Sequence, residues 1–135
     1  MGLDNGIFVY SRTRKLSRKD LPFGMTYPFE TEDSDEDGVE ICYWRKCWGL
    51  RNDIVHCFGS GDKYSTLIEA PEQVMCLIEI IASWLDEKKW NAEGGSLWSY
   101  EQIRHTLIVD IINLGIMYNF MQSNPDIYLE FYDSF

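Results

Sequence analysis

The chain has 135 residues, of which 45% are hydrophobic and 15% aromatic, and a formal net charge of −10. That content is enough to bury one core and excludes a disordered chain, while the length predicts a single domain spanning 1–135. The charge excludes a broad positive field for nucleic-acid backbone: residues 1–51 hold eight Lys and Arg against nine acids, and residues 52–135 hold four against thirteen.

Gly2–Tyr10 ends in Ile7-Phe8-Val9-Tyr10, four β-favouring residues, and is predicted as the first strand. Residues 11–38 form an irregular connection, basic at first (Arg12, Arg14, Lys15, Arg18, Lys19) and then acidic, with seven carboxylates from Glu30 to Glu40. Pro22, Gly24 and Pro28 break regular structure there, and Leu21, Phe23, Met25, Tyr27 and Phe29 are expected to lie on the core. Val39–Tyr43 is a second strand.

From Trp44 the apolar spacing turns helical and runs to Phe58, stopping at Gly59-Ser60-Gly61. Gly49 inside it costs roughly 1 kcal/mol relative to Ala or marks the close approach of another backbone. Tyr64–Glu69 is a short strand. Pro71 opens a second helix whose face of Val74, Leu77, Ile78, Ile81, Trp84 and Leu85 extends to about Lys89, followed by a loop over Trp90–Trp98. Ser99 with Gln102 makes a capping box for a third helix, ended by Asn124-Pro125. Two stripes are read on that helix, Ile103-Leu107-Ile111-Leu114-Tyr118-Met121 and Ile108-Ile112-Ile116-Phe120, so burial on two sides is expected. Ile127–Tyr132 is the last strand. These elements predict an α+β fold of three helices packed on a small, mainly antiparallel sheet that includes both chain termini.

The run Leu107–Met121 contains Asp110 and Asn113, which makes burial in lipid expensive, so no membrane span is read. Cys42, Cys47, Cys57 and Cys76 form no C-x-x-C pair and no secretory signal opens the sequence; a reduced, cytoplasmic setting with the thiols as buried small hydrophobes follows.

Three constellations bear on function. The stretch VEICYWRKCWGLR brings Tyr43, Trp44, Arg45, Lys46 and Arg51 to a predicted strand-to-helix junction, where cations and a stacking aromatic suit an anionic ligand or nucleotide. The competing reading puts the aromatics in the core and pairs the cations with the Glu30–Glu40 segment. Asp33, Asp35 and Asp37 give the D-x-D-x-D-G start of a calcium loop, but Trp44 stands where the bidentate Glu belongs, which leaves a weak cation site or a solvated acidic loop. His56 and Cys57 are neighbours, so on a helix they point about 100° apart and make no catalytic pair. Glu101, His105 and Asp110 are titratable, yet nothing in the sequence places them together. No catalytic residue, cofactor or structural metal is assigned.

Met1-Gly2-Leu3-Asp4, followed by Tyr43-Trp44-Arg45-Lys46 and Leu50-Arg51-Asn52, resembles a family of small uncharacterised bacteriophage and prophage proteins with an MGLD strand and a Y-W-R-K helix start. The resemblance implies a mobile genetic element in a bacterial cytoplasm and transfers no activity. With the acidic surface and no catalytic constellation, it implies a non-catalytic interaction protein that binds or inhibits a host protein. The alternative is a small anionic ligand or nucleotide module using Tyr43–Arg51. Neither direct nucleic-acid binding nor membrane association is expected.

Overall fold

The computed structural model describes residues 3–32, 37–59, 65–95 and 97–134. Strands β1 (Asp4–Ser11), β2 (Val39–Arg45), β3 (Ser65–Ile68) and β4 (Ile127–Ser134) form one antiparallel sheet in the order β2-β1-β4-β3. Among the described residues four α-helices accompany it: α1 (Trp48–Phe58), α2 (Pro71–Ser83), α3 (Glu87–Glu93) and α4 (Tyr100–Ser123), with a 3-10 turn at Arg18–Asp20. The fold is α+β. The two apolar strands nearest the chain ends, β1 and β4, occupy the centre of the sheet and pair with each other along eight residues, so neither offers a hydrophobic edge.

Strand alternation sets the layers. Ile7 and Val9 of β1 and Ile127, Leu129 and Phe131 of β4 are buried together with Leu77, Ile81, Leu107 and Leu114 of the helices. The residues between them, Phe8, Tyr10, Tyr128, Glu130 and Tyr132, are half-buried on the opposite face, on which no helix packs among the described residues. In β2 a bulge interrupts the alternation: Ile7 opposes Cys42 while Phe8 opposes Glu40, leaving Ile41 extra. Ile41 and Cys42 are therefore both buried, and Trp44 turns inward instead of Tyr43.

The prediction of three helices is corrected at two places. Trp44 and Arg45 belong to β2, paired with Asn5 and Asp4, and Lys46 takes a left-handed φ of 56° with its N–H donated to the Leu3 carbonyl at 2.6 Å. A helix cannot run through that residue, so α1 begins at Trp48. The helix expected to reach Lys89 breaks after Ser83. Trp84, 1% exposed, is pinned by its indole N–H to Asp53 Oδ2 of α1 at 2.9 Å, and Asp86 Oδ1 accepts the N–H groups of Lys88 (3.0 Å) and Lys89 (3.4 Å), starting α3 afresh. The loop predicted over Trp90–Trp98 is accordingly helical as far as Glu93.

The Ser99–Gln102 capping box is formed: Ser99 Oγ accepts from Gln102 N–H at 3.3 Å, and Gln102 Oε1 accepts from Ser99 N–H at 3.0 Å. On α4 the buried face is Ile103, Leu107, Asp110, Asn113, Leu114, Met117 and Met121; Ile112, in the second expected stripe, is exposed. A Cβ at Gly49 would collide with the Trp84 ring and the Glu93 carbonyl, which identifies the close backbone approach. In the connection, Leu16 and Leu21 are buried and Met25 and Tyr27 pack on the core, but Phe23, beside the turn at Gly24 (φ 97°), is fully exposed, and Phe29 lies outside against Tyr43. Cys42 and Cys47 are buried, whereas Cys57 and Cys76 are exposed rather than core.

Candidate functional site

The residues of VEICYWRKCWGLR separate onto different parts of the fold. Trp44 is fully buried and donates its indole N–H to Asp110 Oδ2 at 2.7 Å. Tyr43 points the other way and donates its hydroxyl to Asp4 Oδ1 at 3.0 Å. Arg51, one turn into α1, is held by Asp133 of β4 (Nε–Oδ2 3.1 Å, Nη2–Oδ2 3.0 Å), and Asp133 in turn accepts from the Asn5 side chain. Arg45 is exposed at the end of β2, and Lys46 sits in the left-handed turn after it. Asp33 and Asp35 lie outside the described residues; Asp37 accepts the Leu16 N–H through its backbone carbonyl at 2.9 Å. No group of three metal-ligating side chains occurs among the described residues.

Two other features assemble. The first is a cleft of about 170 Å³ between α4, the β2 edge and residues 26–28, lined by Thr26, Tyr27, Pro28, Ile41, Tyr43, His105, Thr106, Val109 and Asp110. Its roof is held by Asn113, a buried amide on the α4 face. Asn113 Oδ1 accepts the Thr26 N–H at 3.0 Å, and its Nδ2 donates to the Thr26 carbonyl (2.6 Å) and the Ile41 carbonyl (3.1 Å). The bulge frees that last carbonyl from the ladder. Asp110 is 3% exposed, and burial pushes its carboxyl up to about 7, against hydrogen bonds from Trp44 and Cys42 that favour the charged form. The Cys42 thiol is pushed up by burial and then by Asp110. His105 and Asp110, scattered in the sequence reading, thus line one cleft; Glu101 is exposed and does not line it.

The second is the sheet face on which no helix packs among the described residues. Phe8 stacks on Tyr10 (centroids 5.8 Å), Tyr10 on Tyr128 (5.7 Å), and Phe8 tilts against Tyr132 (5.5 Å), giving a continuous aromatic strip across β1 and β4. Phe29 from the connection extends it over Tyr43 at 5.1 Å. The Tyr132 hydroxyl donates to Glu40 Oε2 at 2.5 Å, and burial followed by that carboxylate holds the phenol far above its usual range. Gly6 makes room for the pair, since a Cβ there would meet Glu40, the Tyr132 ring and the Cys42 carbonyl. Shallow hollows of about 420 and 430 Å³ flank Phe8, one bounded by Glu40, Glu32 and Arg18 and the other by Tyr10, Glu130 and Tyr132. At one end of the strip the Arg12 guanidinium lies 4.6 Å above the Tyr128 ring while pairing with Glu69.

The fold and this strip define an α+β domain with one helix-covered and one open sheet face. No family model, curated protein or solved structure matches the chain. No helix among the described residues is long and apolar enough to cross a membrane.

Proposed function

We propose that this chain is a non-catalytic interaction protein that docks a cationic protein surface on its open sheet face. The observation carrying this reading is the strip Phe8, Tyr10, Tyr128 and Tyr132, left without a helix and framed by Asp4, Glu40 and Glu130. Aromatic side chains supply large contact area at low entropic cost, and carboxylates beside them select a cationic partner. The chain's own Arg12, seated on the Tyr128 ring and paired with Glu69, supports this reading as an internal example of a guanidinium on the strip.

Strands of eight, seven, four and eight residues, at a rise of ~3.3 Å per residue and a spacing of ~4.8 Å, give a face of roughly 400 Å², the scale of one side of a small transient complex. A salt-sensitive, exchangeable interaction follows, and the resemblance of the MGLD and Y-W-R-K segments supplies its setting, a phage or prophage protein acting on a host factor. An anionic ligand at Tyr43–Arg51 has less support, because Asp110 engages Trp44 and Asp133 engages Arg51.

The test compares captures from bacterial lysate by wild type, by Tyr10→Ser with Tyr128→Ser, and by Glu72→Lys with Glu79→Lys on the outer surface of α2. The reading expects a partner released by salt, lost with the sheet-face pair and kept with the helix pair. Loss confined to the helix pair, or no salt-sensitive partner, would overturn it.

A further inference from the structure

The cleft over Asp110 meets the open sheet face only at Tyr43 on the β2 edge and shares none of Phe8, Tyr10, Tyr128 or Tyr132 with it, and three observations bear on its use. Its floor holds a carboxyl that is 3% exposed, yet no Lys or Arg of the chain forms an ion pair with it among the described residues. A buried carboxylate without a counter-ion is costly, so the site favours either a proton or a cation brought from outside. Its lining combines the aromatic residues Tyr27 and Tyr43, the imidazole of His105 and the apolar Ile41, Pro28 and Val109 with Thr26 and Thr106. Its volume, about 170 Å³, compares with the ~150 Å³ that accepts a benzene-sized molecule, so an occupant has on the order of six non-hydrogen atoms.

We infer that this cleft binds a compact alkylammonium cation, its ammonium group directed at the Asp110 carboxyl and its alkyl chain against Ile41, Pro28 and Val109. Trp44 donates to one carboxyl oxygen at 2.7 Å and the Cys42 thiol also hydrogen-bonds the carboxyl, which fixes the orientation of the group before a ligand arrives. Asn113 fixes the roof, because it ties Thr26 to both α4 and β2. The site is therefore preorganised on two strand and helix elements, with the connection as its third wall. Arg18 already lies 4.5 Å over the Tyr27 ring, but the carbonyls of Phe29, Glu30 and Thr31 hold its guanidinium, and it makes no contact with Asp110.

The experiment titrates the full chain with n-butylammonium chloride, and separately with n-butanol as an uncharged molecule of similar shape, following the Trp44 indole N–H by NMR. Saturation in the millimolar range, with butanol at least tenfold weaker, is the expected result. Asp110→Asn preserves an acceptor for Trp44 and should weaken butylammonium at least tenfold. Should that variant lose its fold, Thr106→Phe, which fills the cleft and leaves the carboxyl intact, should abolish the titration. Equal response to the two probes, an unsaturable response, or undiminished binding in folded Asp110→Asn or in Thr106→Phe would overturn the inference. The sheet-face pair Tyr10→Ser with Tyr128→Ser should leave this titration unchanged, which separates it from the docking reading.

Discussion

The indole N–H of Trp44 donates to the Asp110 carboxyl across 2.7 Å and joins the edge strand β2 to the middle of α4. Both groups are buried, so neither can be deserted by its partner without a penalty. The bond exists because the β2 bulge turns Trp44 inward; a regular strand would have presented Tyr43 instead.

Asp110 makes stability depend on pH with a defined sign. Its carboxyl is raised by burial from the ordinary range to about 7 in the folded chain, so the native state keeps a proton that the unfolded chain releases. The resulting stabilisation is complete below about pH 4 and is lost as pH rises through 7, by up to about 4 kcal/mol. Asp110→Asn keeps an acceptor for Trp44 and cannot ionise. Urea unfolding at pH 5, 6, 7 and 8 should show the variant gaining on wild type as pH rises. A constant difference over that range would contradict the assignment.

Asn113→Ala removes three hydrogen bonds that tie residue 26 to α4 and β2. Thr26 can turn to water once released, while the Ile41 carbonyl stays buried, so the cost should be about 2–3 kcal/mol. Limited proteolysis should cut the 12–38 connection faster than in wild type while α4 stays protected. Unchanged cleavage would mean that the connection is held by its apolar contacts alone.

At Gly49 two effects oppose each other. Alanine gains about 1 kcal/mol of helix propensity, but its Cβ meets the Trp84 ring and the Glu93 carbonyl, and overpacking costs about 1–3 kcal/mol. Because Trp84 is fixed by Asp53, it cannot retreat cheaply, and Gly49→Ala should destabilise by about 1–2 kcal/mol in thermal or urea unfolding. A stabilised variant would show that α1 and α3 are not in contact there.

Features set by neighbouring residues were legible in the sequence; features set across the sheet were not. The Ser99–Gln102 box is local and formed as read, and the α+β class with an antiparallel sheet followed from four strand-like segments. The break at Trp84–Asp86 depends on Asp53, some thirty positions earlier, and an apolar run conceals it. The bulge at Ile41 belongs to a strand pair, so no single strand announces it. Asp110 and Asn113 stood out as polar interruptions of an apolar run, and Asp110 also as a titratable residue that the sequence did not place beside Glu101 or His105. A finer reading could have placed them, because Ile103, Leu107, Asp110, Leu114, Met117 and Met121 fall at spacings of three and four along one face of α4. Of the aromatic junction, Trp44 is fully buried while Trp48 is substantially exposed, a division that depends on where the strand ends and the helix begins.

The central claim, that the open sheet face receives a cationic partner, is tested most directly by backbone-amide NMR with a defined probe. An acetylated Arg-Gly repeat peptide is titrated into the chain at low and high salt, beside a Glu-Gly repeat peptide of the same length. Saturable shifts confined to Phe8, Tyr10, Glu40, Tyr128, Glu130 and Tyr132, abolished by salt and absent with the acidic peptide, are the expected result. Shifts centred on the outer surfaces of α2 and α3, or equal shifts with both peptides, would contradict it.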